Sequence, residues 1–126
     1  MEPETTAEEV LRRYESEDIP GFFGIRLDNV NVGGADGDRP LHVACWRQNF
    51  RDVRALIEGG AQVDIHGDMG ATPLHVAAMK GDMQIAKWLI AAGACLTALD
   101  EFGATPHDAA IRADHLTLAT LLKPPG

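Results

Sequence analysis

Among side chains able to exchange protons near neutral pH, this 126-residue sequence offers five histidines. His42 and His75 each follow Pro-Leu, His66 lies within Asp64-Ile65-His66-Gly67-Asp68, His107 follows Thr105-Pro106, and His115 follows Asp114. Asp64, His66 and Asp68 carry metal-capable atoms, but a polar stretch with a glycine is ordinary turn chemistry. Asp114-His115 reads the same way, as a helix-capping corner. A base needs a nucleophile within hydrogen-bond reach, and no such pairing is visible. There is also no Gly-rich phosphate loop opening a helix, no HExxH and no GxSxG. An enzyme using His66, Asp68 or His107 therefore has no geometry-defining motif behind it. Cys45 and Cys95 are too few for a disulfide framework and lack Cys or His neighbours at zinc spacing. They read as reduced thiols, with Cys45 serving as a small apolar residue. No cofactor and no metal ion are expected.

The elements that hold these residues repeat. Gly37-Asp38-Arg39-Pro40-Leu41-His42-Val43-Ala44, Gly70-Ala71-Thr72-Pro73-Leu74-His75-Val76-Ala77 and Gly103-Ala104-Thr105-Pro106-His107-Asp108-Ala109-Ala110 align without gaps at a 33-residue offset. Val30, Val63 and Leu96 keep the same register, as do Phe50, Met83 and Leu116. In the second copy, Thr72 before Pro73 is a helix cap followed by proline at the first helical position, where its missing N–H costs nothing. Small apolar residues follow, Gly81 punctuates, and Met83, Ile85, Ala86, Leu89 and Ile90 give a second helical stripe over about Met83 to Ala92. Each copy is thus two short helices and a Gly-bearing hairpin loop. Such a unit cannot bury its faces alone and must stack on its neighbours.

The sequence strongly resembles the ankyrin repeat family, whose 33-residue period carries Thr-Pro-Leu-His-x-Ala, over about residues 28–123. The fold class expected is all-α, a solenoid of three helix-turn-helix repeats with a degenerate N-terminal helical cap. The implied domains are 1–29, an N-terminal helix and capping segment; 30–123, the repeats at about 30–62, 63–95 and 96–123; and a 124–126 tail. Thr6 caps a helix beginning near Ala7, and Phe22 and Phe23 are expected to cover the exposed end of the first repeat. Asp108 replaces the motif histidine and His107 the motif leucine in the third copy, which reads as a C-terminal cap whose outer face meets water. The resemblance implies that His42 and His75 hold turns together through hydrogen bonds.

The resemblance also implies protein–protein recognition by a groove of hairpin tips and first helices. Carried over position by position, that groove holds Asp36, Asp38, Asp68, Met69, Glu101 and Phe102 on the tips and Trp46, Arg47, Met79, Lys80 and Arg112 on the helices. Trp46, Met69, Met79 and Phe102 make an apolar centre of the composition found in interface cores. Nineteen acids against eleven Lys and Arg give a net charge of −8. Residues 1–36 hold nine acids and three arginines, so most of that charge is N-terminal. This excludes a general phosphate-backbone binder, so nucleic acid is not an expected partner. The start MEPETTAEEV is acidic where a secretory signal needs a basic start and an apolar core, and no run approaches the ~18 apolar residues of a membrane span. The expectation is a cytoplasmic protein, monomeric when free, binding another protein of basic character and contacting no membrane. Its short length and acidic tips suit a stoichiometric inhibitor of the immunity-protein or antitoxin kind; an adaptor or scaffold subunit is the alternative.

Overall fold

The Thr-Pro steps do start helices. A computed structural model describes residues 5–125. Residues 1–4 and 126 lie outside the described residues, so the acidic start and the 124–126 tail are described only in part. The helices are α1 (Ala7–Ser16), α2 (Pro40–Trp46), α3 (Phe50–Glu58), α4 (Pro73–Lys80), α5 (Met83–Ala91), α6 (Pro106–Arg112) and α7 (Leu116–Leu122), with a 3₁₀ turn over Asp68–Gly70. No strand occurs among the described residues.

Each repeat is a helical pair, α2–α3, α4–α5 and α6–α7, and the first helices stack as α2 on α4 on α6. They can lie close because the positions between them are small: Ala44, Cys45, Ala77, Ala78 and Ala110 are fully buried. Leu41, Leu56, Leu74, Ile85, Leu89 and Leu122 fill the space between first and second helices, in one core running the length of the array.

His42 and His75 fasten successive hairpins. The His75 Nδ1 accepts from the Thr72 backbone N–H at 3.1 Å, which leaves Nε2–H to donate to the Ala104 carbonyl at 2.8 Å. His42 repeats this, accepting from Arg39 N–H at 2.9 Å and donating to the Ile65 and Ala71 carbonyls at 3.1 and 3.0 Å. Burial, foremost, pushes both imidazoles below their ordinary pKa and keeps them neutral. In the third repeat, Asp108 makes only the local half, accepting from Thr105 N–H at 3.0 Å.

The array ends differently at its two termini. Thr6 caps α1, accepting from Glu9 N–H at 3.2 Å, and α1 packs on α3. Val10, Leu11, Tyr14, Ile19, Phe22 and Leu27 are buried there and close the first repeat. Phe23 corrects the expectation: it is 83% exposed, because Phe22 takes the inward place in a turn where Phe22 N–H donates to Ile19. The last repeat leaves Ile111 47% exposed at the register of fully buried Cys45 and Ala78, beside exposed Leu116. Its outer side therefore shows large apolar side chains to water among the exposed Arg112, Thr117 and Thr120. The Asp114-His115 corner is another correction: His115 occupies the cap position of α7 without a side-chain cap bond.

Candidate functional site

A groove of about 490 Å³ runs along the first helices beneath the hairpin tips. Trp46 reaches it from the end of α2, Met79 from α4 and Arg112 from α6, while Asp68, Met69 and Phe102 reach it from the tips. These six of the eleven residues named from sequence line one surface. Its floor is Ala71, Ala104, Ala109 and Ala113, whose small side chains create the concavity. Trp46 is 42% exposed, Met69 58% and Phe102 66%, and Met79 is half-buried against the core. Four large apolar side chains thus converge on solvent, which is costly unless something covers them.

Backbone geometry explains the tips. Gly70 and Gly103 sit at φ +75°, and the reversal they permit sends Met69 and Phe102 toward the groove. A side chain at Gly70 would strike the Glu101 backbone, so neighbouring tips touch there. Glu101 N–H donates to the Met69 carbonyl at 3.1 Å, and Asp100 accepts from both Phe102 and Ala104 N–H at 2.9 Å. Asp68 and Asp100 place carboxylates on the tip side of the groove, opposite Arg112.

The other five residues do not line this groove. Asp36 serves its own turn, accepting from Asp38 N–H at 3.0 Å, and Asp38 ties that tip to the next one, accepting from Asp68 N–H at 2.8 Å. Burial, foremost, raises the Asp38 pKa from its ordinary value. Lys80 and Glu101 are exposed at the margins. Arg47 turns to the N-terminal segment, pairing with Glu17 at 2.6 Å and lying 5.2 Å from the centre of the Tyr14 ring. Of the residues weighed for chemistry, His66 bonds the Gly70 carbonyl at 2.7 Å and His107 the Ala119 carbonyl at 2.7 Å, so their rings brace loops and helices. Asp64 accepts from Cys95 N–H at 2.8 Å, tying one hairpin to the next.

One cluster escaped the sequence reading. Asp52 is buried in α3 and takes both Arg13 guanidinium nitrogens, at 2.7 and 2.9 Å, and the Tyr14 hydroxyl at 2.9 Å. This joins α1 to the first repeat and thereby sets the Glu17–Arg47 corner next to Trp46. The signal was present: a step of 33 residues from Asp52 reaches Ile85 and then Leu118, both buried apolar residues. An acid at a core position needs a cationic or hydroxyl partner, and here the N-terminal helix supplies both, the buried Tyr14 hydroxyl and the partly exposed Arg13 guanidinium.

A family model described as "Ankyrin repeats (3 copies)" matches residues 41–126. No curated protein matches the chain.

Proposed function

The chain belongs to the ankyrin repeat family, a protein–protein interaction module, and from that premise we propose that it captures one basic protein in its concave groove as a stoichiometric inhibitor. The observation that carries this reading is the convergence of Trp46, Met69, Met79 and Phe102 in one groove rimmed by Asp68 and Asp100. Aromatic and methionine side chains gathered on a concave surface supply the desolvated centre of an interface, and a charged rim steers and orients the partner. The tip carboxylates, with the net charge of −8, favour a partner of opposite sign and disfavour self-association. The encounter is placed in the cytoplasm, with the free protein monomeric. Masking of a partner's working surface, as an immunity protein or antitoxin does, is the form this capture takes.

The test is affinity purification of the tagged protein from its native cytosol beside a Trp46→Ala, Met79→Ala double variant. A single basic partner in equimolar amount with the parent, lost by the variant and inactive while bound, is expected. Equal retention by both proteins would remove the groove from the account. A bound partner that keeps its activity would replace the inhibitor with an adaptor.

A further inference from the structure

Resting on the groove reading, we propose that the partner segment seated there is a single amphipathic α-helix lying along the array, apolar side down, with a cationic row facing the hairpin tips. The groove presents its large apolar residues in two rows, each taking one residue from each of two successive repeats. Trp46 and Met79 hold the same position on α2 and α4, and Met69 and Phe102 the same position on successive tips. Stacked helices lie about 8–10 Å apart, so each row has that period. An α-helix repeats a face every seven residues, about 10.5 Å, and a heptad pattern with two apolar positions gives two such rows. A β-strand repeats a face every ~6.7 Å and misses the spacing.

A polyproline helix matches the spacing but not the chemistry of the floor. Ala71, Ala104, Ala109 and Ala113 offer no side-chain donor or acceptor to a backbone laid over them. An extended or polyproline segment would bury unpaired N–H and C=O groups there, whereas an α-helix satisfies its own. Charge then fixes which flank goes where. Asp68, Asp100 and Glu101 stand on the tip side, while α4 and α6 end in Lys80 and Arg112 on the other. Among the described residues, no ion pair within the protein engages the Asp68, Glu101, Lys80 or Arg112 side chains.

The probes are three synthetic peptides of equal length titrated into the full chain: a heptad-patterned helix with a lysine flank, the same peptide with glutamate in that flank, and the lysine peptide with two central prolines. The lysine helix is expected to bind, with at least tenfold weaker binding by each of the others. Binding should be lost in the Trp46→Ala, Met79→Ala variant, and the preference for lysine should shrink at least threefold in Asp68→Asn, Glu101→Gln. Circular dichroism of each variant confirms the fold. Equal binding by the proline or glutamate peptide overturns the proposal, as does binding that survives the double alanine variant. If no peptide binds while the purified partner still requires Trp46 and Met79, the helix is wrong and the groove stands. If the partner does not require them, the groove reading itself has failed.

Discussion

Asp52 exchanges the apolar side chain of its repeat position for three charged or polar bonds, to both Arg13 nitrogens and to Tyr14. Removing it leaves the buried Tyr14 hydroxyl unpaired and frees Arg13, which is itself 43% exposed. Asp52→Ala should therefore cost roughly 2–3 kcal/mol in urea unfolding, the upper part of the range for leaving a buried polar group unpaired and below that for breaking a fully buried ion pair. The histidine bonds make a second prediction, concerning pH. His42 and His75 have pKa values lowered by burial, so the unfolded chain takes up protons first as pH falls below about 6.5. Their stabilisation is complete above that pH and is lost progressively as pH drops through the folded values. The Tm should fall between pH 7.5 and 5, with a smaller pH-dependent part in His75→Asn. Both histidines were legible as turn braces from the repeat motif. Asp52 is legible only as an acid at a position that is apolar in the other two copies; its partners are not, since they lie in a segment outside the repeat register.

At the scale of elements, the register shows which helices are well begun. Asn49 and Asp82 cap α3 and α5, accepting from Asp52 and Ile85 N–H at 3.1 and 2.9 Å, but the corresponding His115 makes no cap bond to α7. His115→Asn should raise stability by roughly 1 kcal/mol, measured by urea unfolding. The preceding position must turn left-handed in each repeat: Gln48 at φ 55°, Gly81 at φ 72° and Asp114 at φ 64°. Only the second copy uses the residue best suited to it. The helical pairs of the three repeats could be read from proline, glycine and apolar spacing. Residues 17–29 could not, because turns with few periodic positions are held by contacts that only the folded chain creates. Phe22 and Phe23 show this, since adjacent, chemically identical residues take opposite sides.

Over the whole molecule, one end of the array is closed by α1 and Phe22, the other shows Ile111 and Leu116 to solvent, and the groove runs between them. Its apolar members were legible because equivalent positions of stacked repeats must share a surface. Arg47 and Asp36 departed from it because the N-terminal segment and a local turn claimed their side chains. The central claim is that Trp46, Met79 and Phe102 belong to a binding surface, and Leu74 to the scaffold. The direct measurement is the partner's dissociation constant, by calorimetry, beside the Tm, for Trp46→Ala, Met79→Ala, Phe102→Ala and Leu74→Ala. At least one groove variant should lose roughly 2 kcal/mol of binding with little change in Tm, while Leu74→Ala loses roughly 2–5 kcal/mol of stability. Groove variants that bind like the parent, or that unfold as Leu74→Ala does, would contradict the account.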